Sequence, residues 1–203
     1  MVELLESEAA FPFPTGELQR LTQREWVLNR LPKGSVGAEI GVFRGHFSEK
    51  IIDIVRPEKL YLVDIWTKVG EFFGWSSPYT NSNSLPTLVA RQEVEARVKR
   101  RGYSEKVQIV EEYSNIFLKN IPEKLDWVYL DTSHKFENTL NELRNCAAAL
   151  KGDGHIVGDD FHASRDHPHY GVFRAVNFFV KESDFEFVAA GAGNQFCLRR
   201  TSN

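Results

Sequence analysis

Apolar residues recur at helical spacing near the start of the chain. After a Phe-Pro-Phe-Pro segment, four leucines share one face of a predicted helix: Leu18, Leu21, Leu28 and Leu31. Pro32-Lys33-Gly34 ends this helix, because proline and glycine are poor continuations of a helical backbone. Residues 1–34 are therefore predicted to be an N-terminal extension that contains a helix.

Short continuous apolar runs then alternate with helical patterns. Five runs predict buried strands: Val36–Ile40, Leu60–Val63, Val107–Val110, Trp127–Leu130 and His155–Val157, the last after a turn at 152–154. A short helix precedes the fourth strand, and longer patterns predict four further helices: Phe47–Val55, Leu88–Arg101, Asn138–Leu150 and Phe173–Val180. This alternation is typical of a doubly wound α/β domain whose sheet is mostly parallel.

The last two predicted strands differ from the others in their connection. Phe185–Ala189 and Gln195–Arg199 both alternate apolar and polar residues, and only Gly191-Ala192-Gly193-Asn194 separates the two patterns. A parallel crossover needs about a dozen residues, so these strands must form an antiparallel hairpin. The sequence thus predicts a Rossmann-like, seven-stranded α/β fold over 35–203, closed by an antiparallel C-terminal β-hairpin.

Residues 67–86 fit neither pattern. They place Phe72, Phe73, Trp75 and Tyr79 among glycine, serine, asparagine and proline. A loop of this length in a compact domain is usually functional, and its aromatic content argues against disorder. We expect either a lid over a substrate pocket or a contact with a second subunit, and the oligomeric state stays open.

Composition narrows the class of protein. The 203 residues suit one domain, 42% of them are hydrophobic, and the net charge of −3 gives no basic surface for nucleic acid. Two cysteines, which are expected to serve packing, cannot build a disulfide framework. The acidic, proline-containing start does not resemble a signal peptide, and no apolar stretch approaches a membrane span. We expect a soluble, cytoplasmic protein without a membrane or nucleic-acid partner.

A glycine-containing loop follows the first strand. In Glu39-Ile40-Gly41-Val42-Phe43-Arg44-Gly45 the two glycines allow a tight turn and a close approach to a ligand. Asp64 ends the second strand, where a carboxylate can accept hydrogen bonds from the hydroxyl groups of a ribose. The spacing matches neither G-x-G-x-x-G nor a P-loop, which disfavours a phosphate-cradling site.

These segments resemble the first two motifs of class I S-adenosylmethionine-dependent methyltransferases. The likeness extends over about residues 35–199, and it implies that Glu39, Gly41, Gly45 and Asp64 bind the amino-acid and ribose parts of S-adenosylmethionine. The segment Glu112-Tyr113-Ser114, after the third strand, is similar to the segment that borders the adenine in that family.

Acidic residues end two further strands that should be neighbours. Asp131 follows the fourth strand, and Asp159 and Asp160 follow the fifth. Packed carboxylates repel each other unless a cation or protons neutralise them, and hard oxygen ligands suit Mg²⁺ or Mn²⁺. We predict a metal site at these three residues, with Asp131 also bordering the cofactor. The alternative is that Asp159 and Asp160 form a solvated turn and a helix cap.

His134 follows Asp131 by three residues and is the candidate catalytic base, since its ordinary pKa suits proton abstraction. The segments Asp131–His134, 158–161 and 171–176 resemble the subgroup that includes macrocin O-methyltransferase and, more distantly, catechol O-methyltransferase. That likeness implies a divalent ion held by the acids and a base beside it. Four other histidines could be considered as zinc ligands, but their spacing matches no familiar zinc pattern: His155, His162, His167 and His169.

The predicted function is therefore divalent-cation-assisted O-methylation of a small hydroxylated molecule, of sugar or phenol type, with S-adenosylmethionine as methyl donor. The sequence does not name the acceptor, and transfer to nitrogen stays open. Two other classes stay open as alternatives, namely a nicotinamide-dependent oxidoreductase and a non-catalytic S-adenosylmethionine-binding module.

Overall fold

A computed structural model describes residues 4–201 and contains one seven-stranded sheet with helices on both faces. The strands are β1 (Val36–Ile40), β2 (Lys59–Asp64), β3 (Val107–Glu111), β4 (Leu125–Leu130), β5 (Leu150–Gly158), β6 (Phe185–Gly191) and β7 (Gln195–Arg200). Their order is β3-β2-β1-β4-β5-β7-β6. Only β7, which lies between β5 and the edge strand β6, pairs antiparallel with both of its neighbours, so the predicted fold class is confirmed.

Eight α-helices surround this sheet within the described residues. They are α1 (Leu4–Ala10), α2 (Thr15–Gln23), α3 (Glu25–Leu28), α4 (His46–Val55), α5 (Thr87–Arg100), α6 (Ser114–Asn120), α7 (Phe136–Ala149) and α8 (Tyr170–Glu182). Short 3₁₀ turns lie at Trp66–Val69, Pro78–Thr80 and Ala192–Asn194. Between residues 4 and 201, no helix combines the length and the apolar character needed to cross a membrane.

The sheet has an apolar core on each face because successive side chains of a strand point to opposite sides. In β4, Val128 and Leu130 pack with the helices α6, α7 and α8, whereas Trp127 and Tyr129 pack on the side of α3, α4 and α5. All four side chains are buried. Burial on both faces explains why these strands appear in the sequence as continuous apolar runs.

The C-terminal hairpin forms as the loop length predicts. β6 pairs antiparallel with β7, and β7 pairs antiparallel with β5, with Val157 opposite Cys197. Cys197 and Cys146 are both buried and free, as expected for packing residues.

The predicted N-terminal helix is divided in the structure. α2 ends at Gln23, Arg24 lies between the two helices, and α3 begins at Glu25. Leu18, placed on the buried face by its spacing, is 48% exposed, whereas the other three leucines of the pattern are buried. A single helix over all four leucines was thus wrong, because the chain turns at Arg24.

One strand boundary and one helix also differ from prediction. β5 begins at Leu150, since residues 152–154 continue the strand, and its register with β4 shifts between Leu125 and Trp127. The sequence also gave no indication of α1, which packs against α5. Ser7 of α1 donates a hydrogen bond to the buried Glu93 of α5, a contact that depends on the tertiary fold.

Candidate active site

A cavity of about 930 Å³ opens at the carboxyl ends of the parallel strands. Its lining includes every predicted site residue except Gly45, namely Glu39, Gly41, Asp64, Glu112, Tyr113, Ser114, Asp131, His134, Asp159 and Asp160. Ligands of open α/β sheets bind at this position, and the volume suits a nucleoside-sized ligand together with a small second molecule.

The loop after β1 touches the loop after β4 through the backbone. Gly41 has φ +91°, and a Cβ added there would lie 1.8 Å from the carbonyl oxygen of Asp131. Gly45, at φ +77°, immediately precedes α4. Both glycines are therefore required by conformation, and Gly41 also by the close approach of the two loops.

Asp64 holds this loop in shape. Its Oδ2 accepts hydrogen bonds from the backbone N–H groups of Val42 (2.8 Å) and Phe43 (2.7 Å), and its Oδ1 accepts one from Ile65 (2.6 Å). The predicted ribose-binding acid is thus also the residue that fixes the glycine loop.

Glu39 lies beneath the loop and is almost completely buried. The Ser48 hydroxyl at the start of α4 donates a hydrogen bond to its carboxylate. Burial raises the pKa of Glu39 to about 8. The carboxyl group is therefore suited to accept hydrogen bonds from a ligand or to carry a proton at neutral pH.

Two residues of the segment predicted to border an adenine, Glu112 and Ser114, form hydrogen bonds with other side chains of the protein. The carboxylate of Glu112 accepts a hydrogen bond from Lys68 at 2.8 Å. Ser114 Oγ donates to Glu142 at 2.6 Å, and Thr132 donates to the same carboxylate at 2.6 Å. Glu142 lines the cavity and was missed by sequence reasoning, since nothing in its helical pattern distinguishes it from a surface acid.

The three predicted acids and His134 come together at the ends of β4 and β5. Carboxylate oxygens of Asp131, Asp159 and Asp160 lie within 4.8 Å of one another. His134 Nε2 is 2.8 Å from Asp160 Oδ2, and His169 Nδ1 is 3.0 Å from Asp160 Oδ1. Burial alone would raise the pKa of Asp160, but these two histidines hold it well below its usual range.

Two arginines from the N-terminal helices lie against these acids. Arg20 Nη2 contacts both oxygens of Asp159, at 3.0 and 3.1 Å, and Oδ1 of Asp160 at 3.2 Å. Arg24 is paired with Asp159 and lies 3.4 Å from Asp131 Oδ2. Sequence reasoning missed both; the available signal was that Arg24 shares the helical face of two buried leucines.

The acid cluster does not fit a resident Mg²⁺ or Mn²⁺ in this arrangement. Each of the three carboxylates already has a guanidinium group within hydrogen-bonding or ion-pair distance. A divalent cation among them would lie beside two positive charges, which repel it.

Two further histidines lie beside His169, although the sequence spacing of the three matches no zinc pattern. Ring nitrogens of His162, His167 and His169 lie within 4.8 Å of one another. The rings of His162 and His167 stack at 3.5 Å with an angle of 15° between their planes. Nearly parallel rings do not direct their in-plane lone pairs at one ion, so this arrangement is unlike a zinc site.

Three of the four aromatic residues predicted to cover the pocket, Phe73, Trp75 and Tyr79, line the cavity, whereas Phe72 is exposed and does not. Phe73 and Trp75 lie 5.0 and 5.7 Å from the ring of Phe43, which belongs to the glycine loop. Tyr79 packs at 5.7 Å from Phe13 of the N-terminal segment, and its hydroxyl lies 3.4 Å from Arg20. The aromatic side chains in these contacts and Arg20 all belong to the lining of the cavity.

The sheet order, the glycine loop after β1 and the acids at the strand ends together define a methyltransferase of class I. The family model described as "Methyltransferase domain" matches residues 38–161, more than half of the chain. The chain belongs to this family, which confirms the family resemblance found in the sequence.

Solved structures with the same fold are distant in sequence. An O-methyltransferase from Bacillus cereus in complex with S-adenosylhomocysteine is 14% identical, with a TM-score of 0.65 over 98% of this chain and 89% of that chain. TomG from Streptomyces achromogenes, an O-methyltransferase of tomaymycin synthesis in complex with S-adenosylmethionine, is 15% identical, with a TM-score of 0.63 over 100% and 91%.

An rRNA methylase from Streptococcus thermophilus is 12% identical, with a TM-score of 0.58 over 87% of this chain and 93% of that chain. No curated protein shows significant sequence similarity to this chain. The fold is therefore shared by enzymes with very different acceptors, and the acceptor must be argued from the site.

Proposed function

We propose that this protein is an S-adenosylmethionine-dependent O-methyltransferase that acts on a small hydroxylated molecule. The observation that carries the proposal is that one cavity joins the glycine loop to the His134–Asp160 pair. The cofactor, when bound, supplies an activated methyl group on its sulfonium sulfur. The protein then needs to align an acceptor oxygen and to receive its proton.

His134 is the residue proposed to receive this proton. Because Nε2 of His134 faces Asp160, Nδ1 is the nitrogen that can accept a proton from the acceptor hydroxyl. Burial opposes a charge on the ring, but the hydrogen bond and the charge of Asp160 outweigh it and raise the pKa of His134. The carboxylate thus stabilises the imidazolium that forms during the reaction, as in other acid–histidine pairs.

The walls of the cavity support a small acceptor. The lining is divided between the apolar faces of Phe43, Phe73, Trp75 and Tyr79 and the polar groups of His134 and Asp160. An acceptor with a planar or apolar body and one reactive hydroxyl fits this division. The net charge of −3 supplies no broad basic footprint for an rRNA substrate.

The cation assistance predicted at Asp131, Asp159 and Asp160 is not included in this proposal, because arginine guanidinium groups already lie against these acids. The family match excludes the alternative that the protein is a nicotinamide-dependent oxidoreductase. A non-catalytic binding module would bind S-adenosylmethionine without turnover, and the His134–Asp160 pair argues against it.

The cofactor site is tested through Asp64. We expect Asp64→Ala to weaken S-adenosylhomocysteine binding by about 1–3 kcal/mol, since the backbone N–H groups of the glycine loop lose their acceptor. Isothermal titration calorimetry measures this change. Asp53→Ala is the matched control, because the Asp53 side chain is 43% exposed and pairs only with Arg101 among the described residues. Equal affinities for both variants would remove Asp64 from the site.

The aromatic segment is proposed to close over the acceptor. The Trp75 side chain lines the cavity and yet is 46% exposed, so it has apolar surface left to bury. Hydrogen exchange in residues 67–86 should slow when S-adenosylhomocysteine and an acceptor are bound, whatever the protein concentration. Slowing that follows protein concentration and ignores ligand would instead indicate a contact between subunits.

A further inference from the structure

The acid cluster carries its own countercharge in the N-terminal helices. Arg20, at the C-terminal end of α2, reaches Asp159 and Asp160, and Arg24, between α2 and α3, reaches Asp131 and Asp159. These five residues bring three carboxylates and two guanidinium groups to one end of the sheet.

Asp159 has no acceptor capacity left for a metal ion. Its Oδ1 accepts hydrogen bonds from Arg20 Nη2 at 3.1 Å, the backbone N–H of Asp160 at 2.7 Å and Gln195 Nε2 at 2.5 Å. Its Oδ2 faces Arg20 at 3.0 Å and Arg24. A carboxylate offers about four lone-pair positions, and four donor groups contact this one, so they saturate it.

Two of the donors to Asp159, Gln195 and Arg24, are buried. Tyr129 donates its hydroxyl to Gln195 Oε1 at 2.8 Å, which directs the Gln195 amide nitrogen toward Asp159. Tyr129 and Gln195 are buried, as is the carboxylate of Asp159. The Arg24 side chain is only 8% exposed, so water does not screen its charge appreciably.

We infer that Arg20 and Arg24 take the place of a divalent cation at Asp131, Asp159 and Asp160. They supply two positive charges against the three carboxylates, position Asp160 for His134 and make methyl transfer independent of added metal. The inference deepens the proposed function and rests on it for the reaction, but metal binding can be measured without turnover.

Electron paramagnetic resonance of Mn²⁺ tests the inference on the full chain after treatment with chelator. Wild-type protein should leave the signal of free Mn²⁺ unchanged at millimolar metal. Arg20→Met/Arg24→Met should gain one Mn²⁺ site per chain, and adding Asp159→Asn should remove that site. Saturating Mg²⁺ should raise the melting temperature of the double variant by about 5–10 °C and leave that of the wild type unchanged.

Arg30→Met is the matched control, since Arg30 lies in the same N-terminal region and packs over the Trp26 ring instead of an acid. Arg30→Met should behave like the wild type. Arg24→Lys should also leave the signal of free Mn²⁺ unchanged. A wild-type Mn²⁺ site that disappears in Asp159→Asn overturns the inference, as does a folded double variant that binds no Mn²⁺. If the double variant fails to fold, the wild-type titration decides. Calorimetry with S-adenosylhomocysteine on the same samples reports separately on the cofactor site.

Discussion

Gly41→Ala is expected to destabilise the protein by about 3–5 kcal/mol and to abolish cofactor binding. The added methyl group would lie 1.8 Å from the carbonyl oxygen of Asp131 and 3.2 Å from Thr132 Cγ2. At φ +91° an L-residue is also strained. The loops after β1 and β4 must therefore separate, and the melting temperature should fall by about 6–20 °C in differential scanning calorimetry.

Gly16→Ala provides the control for this substitution. Gly16 lies in α2, and among the described residues no heavy atom beyond its chain neighbours and the adjacent helix backbone lies within 4 Å of the position that its Cβ would take. Alanine there should change stability by less than about 1 kcal/mol, in the stabilising direction. Similar melting temperatures for the Gly41 and Gly16 variants would contradict the close approach of the two loops.

His134→Gln is expected to lower kcat by about 100- to 10,000-fold while leaving S-adenosylhomocysteine affinity unchanged. Glutamine keeps a hydrogen bond to Asp160 within reach but cannot take a proton from the acceptor. The measurement is transfer of a labelled methyl group from S-adenosylmethionine to those phenols or sugars that the wild type methylates.

His155→Gln is the corresponding control. His155 lies in β5 opposite Trp127 and is not among the residues that line the cavity, so its replacement should retain wild-type turnover. A His134→Gln enzyme with near-normal kcat would assign proton removal to another group or to solvent, and the His134–Asp160 pair would become structural.

The parts of the fold that sequence could predict are those decided by local rules. Continuous apolar runs identified β1, β2 and β4 because these strands are buried on both faces. The hairpin followed from loop length, since so few residues cannot return the chain to a parallel strand.

The site was predictable where chemistry follows directly from a strand end. Gly41, Asp64, Asp131 and His134 each come within a few residues of a strand terminus, and the sheet places all four at the same cavity. Parallel strands necessarily bring their carboxyl ends to one edge. This geometry is what made residues distant along the chain predictable as neighbours.

The counter-ions of the acids were not predictable in this way. Arg20 and Arg24 reach the cavity only because α2 packs across the sheet edge near residues 192–194 and α4. The helical face of Arg24 indicates burial, but no local pattern names its partner. Only the docking of the helix brings Arg20 and Arg24 to the acid cluster. The contact of Ser114 with Glu142 has the same origin, since it joins α6 to α7.

The position of the two arginines bears on how members of this family should be compared. The family match runs from residue 38 to 161, so it contains Asp131, Asp159 and Asp160 but neither of their arginine partners. An alignment limited to the shared domain therefore compares the acids without their counter-ions. Two homologues with identical acids would then differ in metal requirement according to their N-terminal helix alone. If Arg20 and Arg24 replace a cation as inferred, a difference in cation use between such homologues would be encoded in the residues before position 38.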